Sequence, residues 1–200
     1  MKSNAAQNPI IVQGDGTVLM EVDNPLFETA RDQLARFAEL EKSPEYIYTY
    51  RITPLSLWNA AAAGLTADAI IATLQTHARY PLPDNVRVDI ADYVSRYGRV
   101  KLIREGPHLI LACDDPALAT ELAHDTRLQP YIVGAIAPSR LRVDPLKRGH
   151  IKQALTLIGY PAEDLAGYVK GAPLCFSLRE TTRRGESFVL WRYQRDAAEA

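Results

Sequence analysis

Four times in this chain a short polar side chain stands directly before a proline: Asn24-Pro25, Thr53-Pro54, Asp115-Pro116 and Asp144-Pro145. That pair is the grammar of a helix start. The polar side chain accepts a free backbone amide, and proline at the first helical position lacks an N–H that would be orphaned anyway. The four pairs predict where helices begin. The first is expected over residues 25–41, with Phe27, Ala30, Leu34, Phe37 and Ala38 as its apolar stripe. The second is expected over 54–63 and stopped by Gly64, with Leu57, Trp58 and Ala61 facing inward. The fourth is expected over 145–158 and stopped by Gly159. It would bury Ile151, Ala154, Leu155 and Ile158 while exposing Lys147, Arg148 and Lys152.

The segments between these starts alternate or repeat at helical spacing. Two β-prone runs, 9–12 and 17–22, flank Gly14-Asp15-Gly16 and predict a hairpin. Residues 46–52 alternate like a strand, with Tyr46, Tyr48 and Tyr50 on one face as either core or interface. Thr66 caps a helix carrying Ile70, Ile71, Leu74 and Ala78, broken by Pro81 and Pro83. Asp84 opens another with Val86, Ile90, Tyr93, Val94 and Tyr97 on one stripe, and Gly98 stops it. Runs 100–103 and 108–112 then predict a hairpin across Glu105-Gly106-Pro107.

Three short helices followed by a hairpin is the winged-helix order, so residues 53–112 are expected to form such a module. Its third helix would offer Arg87, Asp89, Asp92, Ser95 and Arg96. Two acids against two bases make a poor phosphate-facing surface, which favours protein contact over a grip on DNA.

Beyond Asp125 the texture changes. Residues 126–139 read as a connection. Residues 140–143, the helix over 145–158, and strands at 166–169, 174–179 and 187–190 read as a small β-α-β-β-β domain, with a basic turn at 181–185. The fold class expected is therefore α+β: an N-terminal hairpin and helices with a winged-helix-like module, then this smaller domain.

Charge divides along the same line. Residues 1–125 carry 11 Lys/Arg and 17 Asp/Glu, whereas residues 126–200 carry 12 and 7. A basic second part suits nucleic-acid phosphates, and an acidic first part does not. The N-terminal residues lack a signal-peptide pattern, and no apolar run reaches membrane-span length. Cys113 and Cys175 sit singly in apolar runs and are expected to be buried thiols in a reducing, cytoplasmic setting, nucleoid-associated if the source is prokaryotic.

Catalytic patterns are lacking. No Gly-Lys dipeptide occurs, hence no phosphate loop. His77, His108, His124 and His150 have no ligand spacing, and Asp114-Asp115 reads as a helix cap rather than an acid pair. No Ser or Cys is ordered beside a His. No catalytic residue, metal site or resident cofactor is expected in these 200 residues.

Two stretches carry a resemblance. Residues 43–66 read Ser-Pro-Glu-Tyr-Ile-Tyr-Thr-Tyr-Arg-Ile-Thr-Pro-Leu-Ser-Leu-Trp-Asn-Ala-Ala-Ala-Ala-Gly-Leu-Thr, and residues 92–102 read Asp-Tyr-Val-Ser-Arg-Tyr-Gly-Arg-Val-Lys-Leu. With the opening Val12-x-Gly-Asp-Gly-Thr, they resemble the N-terminal region of XPB-type DNA repair helicases across residues 8–198. The resemblance implies an accessory domain over 1–125, a damage-recognition domain over 140–190, and the beginning of a motor lobe over 191–200. It also implies 3'-5' helicase activity, ATP and magnesium for the parent enzyme, and a chain cut just inside that motor lobe.

At Leu190-Trp191-Arg192-Tyr193-Gln194 the family often has Leu-Arg-x-Tyr-Gln, so the basic residue here is shifted by one. The resemblance makes Gln194 the adenine-reading residue of the parent. The candidate DNA-phosphate contacts are Arg140, Arg142, Lys147, Arg148, Lys152, Arg179, Arg183 and Arg184. Two readings stand. One is a DNA-engaging regulatory portion of a repair helicase, with duplex or damaged DNA as partner. The other is a scaffold that docks repair proteins through residues 1–125 and has no DNA role.

Overall fold

The computed structural model describes residues 8–168 and 179–199, and the chain divides into two compact units, 1–167 and 168–200. The first unit holds two sheets, each with its own hydrophobic core.

The first sheet has the order β1 (Ile10–Val12), β2 (Thr17–Glu21), β4 (Ile47–Arg51), β3 (Glu39–Lys42), all antiparallel. The Gly14-Asp15-Gly16 turn joins β1 to β2 as expected. Asp15 Oδ1 accepts from the Thr17 amide at 2.9 Å, and Gly16 takes φ +81°, a conformation that favours glycine. Four helices cover one face: α1 (Phe27–Leu34), α2 (Pro54–Ala62), α3 (Ala67–His77) and α4 (Asp84–Arg96). Val18, Met20, Tyr50, Leu34, Leu57, Ile70, Leu74 and Ile90 are buried between them. Of the three tyrosines on β4's approach, Tyr50 is core and Tyr48 packs edge-on against Phe27 at 5.3 Å, while Tyr46 is exposed.

The cap-proline starts hold with local variations. Thr53 forms a full capping box with Ser56. Asp115 accepts from the Ala117 amide and opens α5 (Pro116–His124). Asp144 accepts from the Leu146 amide, but a 3-10 turn at Pro145–Lys147 precedes α6 (Arg148–Leu157). Asn24 Oδ1 accepts from Leu26, so α1 begins two residues after Pro25.

That first helix also ends early. Phe37 and Ala38 are buried as expected, but Ala38 turns back on the Leu34 carbonyl and the next four residues pair with β4 as β3. All four residues of β3 are exposed, so no burial pattern announced the strand.

The second sheet has the order β7 (Ile132–Ala137), β8 (Arg140–Val143), β6 (His108–Cys113), β5 (Val100–Glu105), β9 (Ala162–Asp164). Helices α5 and α6 contribute Leu118, Leu122, Ile151 and Leu155 to a core with Val100, Leu102, Leu109, Leu111, Leu141 and Val143. Only β5–β9 is parallel among the described pairs.

This sheet corrects several expectations. Residues 126–139 are not a plain connection, because they supply β7, an edge strand. The boundary expected between 125 and 140 falls inside one sheet. The three helices and the hairpin do follow in winged-helix order, but the helices bury their stripes in the first core and the hairpin buries its side chains in the second. The strand expected at 166–169 lies earlier, at β9, where it can pair with β5; Val169 and residues 174–178 lie outside the described residues.

The second unit contains a turn closed by a Thr181–Ser187 bridge, with Gly185 at φ +81°, and α7 (Arg192–Glu199). Phe188 donates its amide to Glu180, but residues 188–190 join no sheet. No single helix among the described residues is long and apolar enough to cross a membrane.

Candidate nucleic-acid interface

Cross-strand register decides which side chains share a face of the second sheet. Leu109, Leu111, Leu141 and Val143 point to the helices, so their alternates point away. The pairs Lys101–Ala112, Ile103–Ile110, Glu105–His108, Ile110–Arg142, Ala112–Arg140 and Lys101–Glu163 place one set of residues on the outward face. Lys101, Arg140 and Arg142 are its cations, Glu105 and Glu163 its anions. Ile103 and Ile110 form an apolar stripe, and Ile110 is only 2% exposed.

Two of the cations are already partnered. Arg140 is ion-paired to Glu105, and Lys101 lies 3.7 Å from Glu163. Arg142 forms no hydrogen bond or ion pair with any described residue, and it is exposed. On its β7 side it faces Gly134, beside which an added Cβ would meet open space. Among the described residues nothing holds Arg142 away from a ligand, and it stands on β8, one strand in from the edge strand β7.

The other candidates fall into different surroundings. Arg148 and Lys152 converge on Asp164, at 2.7 and 2.9 Å, and tie α6 to β9. Burial raises the Asp164 carboxyl's pKa, but hydrogen bonds from Arg148 and Lys152 outweigh it and hold the group below its ordinary value. Both cationic heads are engaged by that one carboxylate, so although the trio keeps a net positive charge it is a poor phosphate site. Lys147 is exposed on the 3-10 turn, with no ion pair to a described residue. Arg183 and Arg184 are exposed on the Thr181–Ser187 turn, where Thr182 Oγ1 accepts from the Arg184 amide, and Arg179 is exposed just before it. Gln194 is exposed in the first turn of α7, and its Oε1 accepts from the Trp191 amide at 3.0 Å.

The structure thus brings together Arg140 and Arg142, and separately Arg183 and Arg184. It adds Lys101 and His108, which sequence reasoning missed. The alternation of Lys101 with buried Val100 and Leu102 was visible, but only the pairing of β5 with β6 and β6 with β8 places it on the face of Arg142.

No group of three or more His, Cys, Asp or Glu among the described residues is arranged to hold a metal ion. His77 is buried, and His150 stacks on Tyr131 at 6.0 Å. Asp114 pairs with Arg99 at 3.0 Å while Asp115 caps α5. Burial raises the Cys113 thiol to about 11, which keeps it protonated and unreactive.

The sequence model of the family described as "Helicase conserved C-terminal domain" matches residues 10–137. The chain is 43% identical over 192 residues to the "DNA 3'-5' helicase XPB" of Kineococcus radiotolerans and 45% identical over 193 residues to that of Mycobacterium tuberculosis. Each comparison covers 96% of this chain and 34% of the relative. It is 31% identical over 168 residues to the "General transcription and DNA repair factor IIH helicase/translocase subunit XPB" of Enterocytozoon bieneusi, covering 84% of this chain and 27% of that protein. The chain spans about a third of the length of the curated relatives it matches.

Proposed function

Because the chain belongs to the family described as helicase conserved C-terminal domain and is similar to XPB helicases over most of its length, we propose that it is the non-hydrolytic, DNA-engaging regulatory portion of an ATP-dependent 3'-5' DNA repair helicase. The matching family is described by its C-terminal domain, whereas this reading places the portion on the N-terminal side of the motor. Two observations support setting it outside the phosphate-loop lobe of the motor. A phosphate-loop motor sets the loop between a strand and a helix, in a sheet built of parallel strands. Here both sheets are dominated by antiparallel pairs, and the sequence has no Gly-Lys for such a loop. In this reading ATP and magnesium belong to the motor of the parent enzyme, and Gln194 is the residue that reads the adenine there.

The observation that carries DNA engagement is the outward sheet face on which Arg142, on β8, has no partner among the described residues. Arg140, two residues earlier on the same strand, and Lys101, two strands away on β5, share that face and would exchange their carboxylates for phosphates. Arg183 and Arg184 supply a second, separately exposed contact. Such contacts give affinity without sequence preference, through release of condensed counterions.

Fluorescence anisotropy with a labelled duplex, titrated with the 200-residue chain from 50 to 200 mM salt, tests this. Binding should fall with salt, and Arg142→Ala should lower the log–log slope by about 0.9, the value for one phosphate contact on duplex DNA. A flat salt response would overturn the proposal. So would unchanged binding by a variant carrying Arg142→Ala, Arg183→Ala and Arg184→Ala. The second reading, protein docking through residues 1–125, draws on the acidic balance of that part. It would be favoured if the chain captured repair proteins while failing to retain DNA.

A further inference from the structure

A cavity of about 180 Å³ opens where three elements of the first core meet: the β1–β2 turn, the start of α2, and the side of α4 that carries Val86, Asp89, Ile90 and Tyr93. Its floor is apolar, made by Ile52, Pro54, Leu57, Val86 and Ile90, three of which are buried core residues. Asp15 and Asp89 stand at the lining with Tyr93. Asp89 is exposed and forms no hydrogen bond or ion pair with a described residue. Asp15 uses Oδ1 on the Thr17 amide, while Oδ2 has only a loose Arg51 partner at 3.9 Å. Gly16 leaves room for the Ile52 backbone, since a Cβ there would sit 3.0 Å from the Ile52 carbonyl oxygen.

A greasy floor beneath two carboxylates has a specific complement, a long side chain that is apolar along its stem and cationic at its tip. Lysine and arginine bury their methylenes on apolar surface while the head stays near water and negative charge. We propose that this cavity is a docking pocket for an arginine or lysine side chain presented by a protein partner. The stem would lie over Leu57, Val86 and Ile90, and the charged head would reach Asp89 and Asp15. Charge complementarity commits it to a basic protein segment. The same carboxylates repel nucleic-acid phosphates, so this surface is separate in kind from the Arg142 face. The proposal does not rest on the DNA reading, and each can fail alone.

The test is an amide-resolved NMR titration of the 200-residue chain with N-acetyl-arginine amide, N-acetyl-lysine amide and the uncharged isostere N-acetyl-norleucine amide. The basic probes should shift the amides of residues 15–16, 52–57 and 86–93 in a saturable way. Norleucine should bind at least about threefold more weakly, the size expected when an exposed charge pair is lost. Asp89→Asn should weaken the basic probes about as much and leave norleucine unchanged. Because Asp89 is exposed and unpartnered, that variant should keep the fold, which the unshifted remainder of the spectrum verifies. Equal binding of norleucine, indifference to Asp89→Asn, or shifts produced by a DNA duplex at the same residues would each overturn the proposal.

Discussion

Arg148 grips Asp164 at two points, Nε to Oδ2 at 3.0 Å and Nη2 to Oδ1 at 2.7 Å, and so fastens the first turn of α6 to the edge strand β9. Lys152, one turn on, adds a third bond to the same carboxylate. Both partners of the main pair are largely buried, so removing the carboxylate strands a guanidinium. Asp164→Ala should cost about 2 kcal/mol in urea unfolding, while Lys152→Ala, at a more exposed position, should cost well under half of that.

The same carboxylate sets an acid limit. Its folded pKa lies below the ordinary value, so the unfolded chain takes up the proton first. The stabilisation is therefore complete above about pH 4 and is lost as pH falls through the folded pKa. Thermal unfolding followed from pH 6 to pH 3 should show this loss, and Asp164→Asn should flatten that part of the curve.

His77 acts in a different window. It is buried on α3, its Nε2 lies 3.3 Å from Gln33 Oε1, and its Nδ1 has no partner among the described residues. Burial depresses its pKa, so the fold holds the neutral ring and the unfolded chain protonates first. Stability should be complete above about pH 6.5 and decline as pH falls below it. Comparing wild type with His77→Phe at pH 7.5 and 5.5 measures this; equal losses in both proteins would contradict it.

Thr53 should be the most sensitive of the helix caps. Its hydroxyl accepts from the Ser56 amide at 3.0 Å, and the Ser56 hydroxyl accepts from the Thr53 amide while donating to the Phe37 carbonyl at 2.8 Å. Thr53→Ala should cost about 1 kcal/mol in chemical denaturation. Ser56→Ala should cost more, because it also leaves the Phe37 carbonyl without that donor.

Gly159 closes α6 at φ +86°, and a Cβ there would lie 2.9 Å from Arg96 Nη1. The Arg96 guanidinium sits over Tyr93 and Tyr160, at 5.5 and 5.7 Å from their ring centres. Gly159→Ala should destabilise by about 1 kcal/mol through backbone strain alone, with a further loss if Arg96 is displaced. Adding Arg96→Ala should relieve the clash but not the strain, a separation that a double-mutant cycle in urea reads directly.

Much of the local structure was legible beforehand, for an identifiable reason. Thr53, Asp115 and Asp144 act on amides two or three residues away, so their chemistry is written within a single turn of chain. The Gly14-Asp15-Gly16 hairpin and the stops at Gly64, Gly98 and Gly159 were readable on the same grounds, since the conformation belongs to the residue itself. The strands that escaped notice are those defined by a distant partner. Glu39–Lys42 is wholly exposed and looked like the tail of an amphipathic helix. Ala162–Asp164 has two acids in three positions. Residues 132–137, rich in small side chains and flanked by Pro130 and Pro138, read as a connection. Each is a strand because β4, β5 or β8 offers it an unpaired edge.

The candidate site divides in the same way. The sequence by itself determined which residues carry charge, where the helices start, and that no phosphate loop is present. Only the tertiary structure decided which charges are free. It spends Arg148 and Lys152 on Asp164, pairs Arg140 with Glu105, and leaves Arg142 without a partner among the described residues, beside Gly134 and on a face it shares with Lys101. Helix caps and turns arise from bonds between near neighbours, which a sequence displays. Strand register and ion pairing are choices among partners tens of residues apart, made only when the whole sheet and its core close together.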